Sequence, residues 1–230
     1  VKVEIYRKGM KQPLEITLTR EIIKLENVEY KVIDKENKIG YISLLNFGSK
    51  TGPEIKNALI ELEKQGVEKL IFDLRTNPGG SLQEAIEIAS QFVSEDLIVT
   101  LKTKSGNNKE YKRVGEQIFK GPMAVLVNRG SASASEIVTG VLKDYKRATI
   151  IGEKTFGKGV AQGIYNYPGS DDAIKLTIAE YATPKNNNIN KNGIEPDIYI
   201  NMNNLLSTKG YSSETKEALE NREKEIKKLL

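Results

Sequence analysis

Between positions 128 and 138 the chain reads NRGSASASEIV, with Ser131, Ser133 and Ser135 at alternate positions, Gly130 before them and Glu136 after. A serine hydroxyl attacks a carbonyl carbon effectively only when a base takes its proton. The chain has no histidine and no cysteine, which removes His-dependent triads and thiolate chemistry. Carboxylates, tyrosines and lysines remain. A lysine is ordinarily protonated near neutrality, but a dry, apolar setting favours its neutral form, and serine–lysine pairs are one chemical solution. Lys158 stands between Gly157 and Gly159 in GEKTFGKGVAQG (152–163). Phe156, Val160 and the apolar strand before them could supply such a setting.

Each candidate has a plain structural reading beside the chemical one. Ser133 and Glu136 form S-x-x-E, a helix capping box. Ser131 and Ser135 suit any helix start. NPGG (77–80) is a turn sequence, although its glycine pair lets a backbone N–H approach a ligand with no side chain in the way. The lysine segment nearly matches the phosphate-binding pattern G-x-x-x-x-G-K-[ST], since Gly152, Gly157 and Lys158 keep the spacing. Gly159 occupies the Ser/Thr position and no convincing helix follows, which argues against nucleotide binding.

The elements that must carry these residues follow from periodicity. VEKLIFDLR, GPMAVLVN and RATIIG are near-continuous apolar runs of the kind buried on both faces of a parallel sheet. EYKVIDK, IGYISLLNF, LIVTLKTK, KEYKRV and AIKLTIAEYATP also read as strands. TGPEIKNALIELEKQG, SLQEAIEIASQFV and SASEIVTGVLKDY have helical spacing. Strand and helix alternate over residues 40–152, which predicts βαβ units and a largely parallel, layered α/β core. DLRTNPGGSLQEA and VLVNRGSASASEI each run from a buried strand through a glycine-bearing turn into a helix. Ligands collect at such carboxyl ends of strands, and a helix start favours negative charge.

Before this core, Val3 and Ile5, then Leu14, Ile16 and Leu18, alternate with polar residues across a turn, the pattern of one β-hairpin. The chain therefore opens inside a strand pattern, and an upstream segment is expected. After the core, SSETKEALENREKEIKKLL reads as a charged helix. The net charge of +4 is small for 230 residues, and its signs are interleaved, unlike the concentrated basic face of a nucleic-acid binder. No apolar run approaches the ~20 residues of a membrane span.

Taken together and in order, DLRTNPGG, NRGSASASEIVTG and GEKTFGKGVAQ resemble the carboxyl-terminal processing peptidases, or tail-specific proteases, as does NGIEPDI (192–198). The resemblance implies a crotonase- or Clp-protease-like α/β core. It divides the chain into the last strands of a truncated PDZ domain (1–20), a linker (21–28), a Ser-Lys peptidase catalytic domain (29–205) and a C-terminal helix (206–230). It assigns Ser133 as nucleophile, Lys158 as general base and Gln162 as the residue that orients the lysine. The backbone N–H groups of Gly79 and Ala134 become the oxyanion hole, and Ser131 and Ser135 stay structural. The implied activity is endoproteolysis of protein substrates near their C-termini, without metal or cofactor. Implied partners are protein or peptide substrates, with a regulatory protein or self-association as further candidates, and no nucleic acid. The implied location is the cell envelope or outside the cell. The rival reading is a catalytically inactive crotonase-like module that binds peptides or apolar ligands. TPKNNNINKNG (183–193) departs from the Gly-Arg type turn usual in that family.

Overall fold

A computed structural model describes residues 1–21 and 26–200. In chain order the elements are β1 (Lys2–Ile5), β2 (Leu14–Thr17), β3 (Val28–Asp34), β4 (Ile39–Leu44), α1 (Thr51–Lys64), β5 (Lys69–Asp73), α2 (Leu82–Ser90) and β6 (Leu97–Lys102). There follow β7 (Lys109–Lys112), β8 (Met123–Val127), α3 (Ala134–Asp144), β9 (Thr149–Gly152), β10 (Val160–Asn166), β11 (Ala173–Ala182) and β12 (Ile198–Tyr199). The charged helix expected at 206–230, the end of the expected catalytic domain and part of the expected linker lie outside the described residues.

The six-stranded sheet has the order β12-β9-β8-β5-β4-β3. All its pairings are parallel except β3 with β4. β5, β8 and β9 are the three apolar runs, and they occupy the middle of the sheet, where both faces need cover. α1 turns Ile55, Ala58, Leu59 and Leu62 inward, and α3 does the same with Ile137, Val138, Val141 and Leu142. These side chains share one core with Phe72 of β5 and Phe92, whose rings lie 5.4 Å apart. α2 packs against α3, and both reach β6.

A second sheet, of order β10-β11-β6-β7, is antiparallel throughout. Periodicity marks three of its strands, β6, β7 and β11, as LIVTLKTK, KEYKRV and AIKLTIAEYATP, but neither β10 nor the pairing of the four into a sheet of their own. β10 falls in the stretch read as a glycine-rich loop, and its outer residues are exposed on both faces, so no alternation of apolar and polar residues marks it. β11, read as a strand, leaves Ile174, Leu176 and Ile178 about half exposed. The two-residue β12 is too short for any periodic signal. β1 and β2 pair with each other as a separate two-stranded sheet. Among the described residues no helix is long and apolar enough to cross a membrane.

Candidate active site

Three connections meet at the carboxyl ends of the parallel strands. The first runs from β5 to α2 through residues 74–80. Asp73, almost fully buried, fixes its start: both carboxylate oxygens accept from the Arg75 guanidinium, and Oδ2 also accepts from Tyr41 Oη at 2.7 Å. The hydrogen bonds it donates to Asp73 strengthen the hold of Arg75 on its proton, while burial and then the neighbouring carboxylate push the Tyr41 hydroxyl up. Asn77 follows, fully buried. Its Nδ2 donates to Leu44 O at 2.7 Å, and its Oδ1 accepts from Gly79 N at 2.9 Å.

The second connection, from β8 to α3, is bolted to the first. Asn128 Oδ1 accepts from Thr76 N at 2.8 Å, and the carbonyl of Asn77 accepts from Ala132 N at 3.0 Å. The three serines, equivalent in sequence, separate here. Ser131 Oγ donates to Leu74 O at 2.7 Å and Ser135 Oγ to Asn77 O at 2.9 Å, and both residues are fully buried. Their hydroxyls close backbone carbonyls between the two turns. Ser133 alone is half exposed. Its backbone sits at φ 56°, ψ −112°, a conformation that costs a non-glycine residue on the order of 1–3 kcal/mol. Strained strand-to-helix turns of this kind push a serine outward in unrelated hydrolases.

The third connection, residues 153–159, links β9 to β10 and carries Lys158. Glu136 joins it to the serine turn. This carboxylate is 0% exposed and accepts four hydrogen bonds. Oε1 takes Thr155 Oγ1 and Gly157 N, each at 2.6 Å, while Oε2 takes Lys158 N at 2.8 Å and Ser133 N at 2.9 Å. Two backbone nitrogens, those of Ser133 and Lys158, therefore share one oxygen atom. Their separation is less than two hydrogen-bond lengths, although 24 positions lie between them in the chain. The S-x-x-E reading captured the Ser133 bond alone. The three bonds from residues 155–158 are tertiary and had no local signal. Asp73, Arg75 and Asn77 were also passed over; each stands inside DLRTNPGG, where a buried carboxylate two positions from an arginine was the available clue.

The side chains stand as follows. Lys158 is exposed, and among the described residues its hydrogen bond is that of its backbone N to Glu136, with none from Nζ to Ser133 Oγ. Phe156, expected to wall the lysine, is 68% exposed, so no apolar pocket closes over Nζ. The cause is that this connection holds its place through backbone groups, with Phe156 N bonded to Ser131 O, and its side chains are left facing out. Gln162 is exposed, lies just beyond an irregularity in the pairing of β10 with β11, and makes no hydrogen bond to Lys158. Ala134 N, at the first position of α3, has no acceptor among the described residues. Gly79 N is engaged by Asn77 Oδ1. Gly79 is nonetheless pressed against the serine: a Cβ built on it would lie 2.8 Å from Ser133 Cβ, 2.8 Å from Ala134 N and 2.6 Å from Ala132 O, and its φ is +97°.

That contact makes Gly79→Ala a sharp test of the two-turn assembly. The added methyl has nowhere to go but into backbone, so the turns must part. An unfolding free energy lower by at least about 2 kcal/mol is expected in urea titration at constant m-value. A variant as stable as the parent would mean that the turns are not packed in this way.

Paired glycine-bearing turns above a parallel sheet, with a strained serine opening a helix beside them, define an α/β protein that presents a serine at the carboxyl ends of its parallel strands. Residues 38–200 match the family model described as peptidase family S41, and the chain belongs to that family. The carboxyl-terminal-processing protease of Synechocystis sp. is 44% identical over 200 residues, covering 86% of this chain and 46% of that protein. The carboxy-terminal-processing protease of Bartonella bacilliformis is 39% identical over 217 residues, covering 92% of this chain and 49% of its own length. Among solved structures, the photosystem II D1 C-terminal processing protease aligns with a TM-score of 0.72 at 33% identity, over 87% of this chain and 56% of that one. The chain spans about half the length of the curated relatives it matches.

Proposed function

We propose that this chain carries the catalytic part of a serine endopeptidase that cleaves protein substrates near their C-termini through Ser133 and Lys158. The observation that carries the reading is the Glu136 carboxylate, which holds the backbone of both residues on one oxygen. The lysine side chain must swing only from solvent onto Ser133 Oγ, since its backbone is already beside the serine. A substrate segment laid over the site would exclude water and favour neutral Lys158 as base. Ser133 Oγ then attacks the scissile carbonyl as its proton passes to Lys158 Nζ. Ala134 N–H meets the developing oxyanion, joined by Gly79 N–H once it leaves Asn77 Oδ1. Lys158 returns the proton to the leaving amine, and water hydrolyses the acyl-enzyme. Gln162 orients the lysine in the closed arrangement.

In the same reading residues 1–20 are the end of a PDZ domain, 21–28 a linker, and the two-sheet body a crotonase-like core acting in the cell envelope or outside the cell. The names of the relatives support processing of protein C-termini. One observation favours the inactive binding module instead: Gly79 N–H is already satisfied within the chain. Labelling of the full-length protein with a fluorophosphonate probe, followed by peptide mapping, separates the two readings. The peptidase carries the adduct on Ser133 and loses it when Lys158 is replaced by alanine. No adduct, or an adduct on Ser131 or Ser135, would overturn the assignment.

A further inference from the structure

The polar stretch 184–193 has no chemistry of its own in the proposed reaction, yet its backbone lies directly against the lysine segment. Lys191 N donates to Gly157 O at 2.8 Å. A Cβ built on Gly159 would fall 2.2 Å from Asn190 N and 2.8 Å from Asn190 Cα, so the two backbones touch at the residue after Lys158. On the other side of Gly159, its carbonyl accepts from Tyr181 N at 2.7 Å.

One carboxylate holds the outer strand in this position. Glu180 lies opposite Val160 in the β10–β11 pairing. Its Oε1 accepts from Asn190 Nδ2 at 2.8 Å and its Oε2 from Asn188 Nδ2 at 3.0 Å. Asn188 Oδ1 in turn accepts from Asn190 N at 2.8 Å, the same backbone group that faces Gly159. Both asparagine side chains thus converge on Glu180, and the segment between them is drawn onto Lys158-Gly159. Asn188 is exposed, while Asn190 and Glu180 are half buried. Hydrogen bonds this accessible add little to global stability, so their consequence is local: they set where residues 189 and 190 lie, and through them Gly159.

We infer that Glu180, Asn188 and Asn190 are positioning residues for the general base, an outer clamp that opposes the inner grip of Glu136 on the Lys158 backbone. The inference rests on the Ser133–Lys158 reading. Lys158 has a long, exposed side chain, and the reach of its Nζ to Ser133 Oγ depends on the direction in which its backbone launches it. Displacements of about 1 Å at a reacting pair cost roughly 10²-fold in rate.

The test uses Glu180→Gln in the full-length protein, which keeps size and shape but leaves one oxygen acceptor for two amide donors. Three readouts are taken together. Fluorophosphonate labelling of Ser133, which needs no substrate contacts, is expected to slow about tenfold, with a displaced pH dependence. Peptide hydrolysis is expected to lose kcat with KM unchanged. Amide hydrogen exchange at Tyr181 and Lys191 is expected to quicken while the thermal midpoint stays near that of the parent. The double variant Glu180→Gln/Asn190→Asp rebuilds one amide–carboxylate pair and is expected to recover part of the labelling rate. Labelling at the parent rate in Glu180→Gln would overturn the inference, as would unchanged exchange at Tyr181 and Lys191. Exchange reports the clamp even if the parent is never labelled, an outcome that would sink the peptidase reading and with it the clamp's catalytic role.

Discussion

Replacing Ser133 with alanine is expected to lower peptide hydrolysis on the order of 10⁴-fold or more, as removal of a nucleophile does in other serine peptidases, with little change in stability. Alanine removes Oγ alone. It keeps a Cβ at φ 56°, so the backbone strain is retained. Ser133→Gly loses the same activity but is relieved of that strain, and it is expected to unfold at higher denaturant, by about 1 kcal/mol. The pair separates the two properties of this position. Hydrolysis that survives within tenfold in Ser133→Ala would place the nucleophile elsewhere. A glycine variant less stable than the alanine variant would contradict the strain.

Glu136→Ala is expected to damage stability and activity at once. The carboxylate is buried at the third position of α3, where the helix start favours negative charge, and it satisfies three backbone N–H groups and one hydroxyl. Each orphaned donor costs about 1–3 kcal/mol, so a loss of roughly 4 kcal/mol or more is expected from denaturant titration. Glu136→Gln is the more informative variant. It keeps volume and one acceptor oxygen but turns an NH₂ group toward one of the two pairs of donors. The four-bond junction between the Ser133 and Lys158 segments cannot then be kept whole, and Ser133 labelling is expected to fall by about 10²-fold or more in protein that is still folded. Full labelling in Glu136→Gln would show that the charge does not align the two segments.

The parallel sheet was legible because its central strands have to be apolar on both faces, and runs such as KLIFD and MAVLV have few other uses. The helices were legible for the complementary reason, one buried stripe each. The antiparallel sheet was legible only in pieces: β6, β7 and β11 read as strands, while β10 and the pairing of the four did not. β10, whose neighbouring Ile164 and Tyr165 are both at least half exposed, carries no alternation to detect. At the site, residue types and order pointed to Ser133 and Lys158, but nothing local distinguishes three alternating serines. Burial does, because two of the hydroxyls are committed to backbone carbonyls. The apolar pocket expected around Lys158 failed for a physical reason that periodicity cannot see: Phe156 is held by its backbone N–H on Ser131 O, and its ring is left in solvent. Asn188 and Asn190 looked like filler in a low-complexity loop, and only their shared acceptor, Glu180, gives them a role.

Ser133 opens a helix that grows from the parallel sheet, whereas Lys158 rides on the span that crosses to the antiparallel one. The two residues are thus carried by segments of different sheets, joined at Glu136. The β10–β11 hairpin is joined to Lys158 through Gly159 alone, whereas Ser133 lies between two buried serines bonded to the neighbouring turn. On the proposed reading, aligning the pair is a matter of leverage, and the exposed hairpin is the handle.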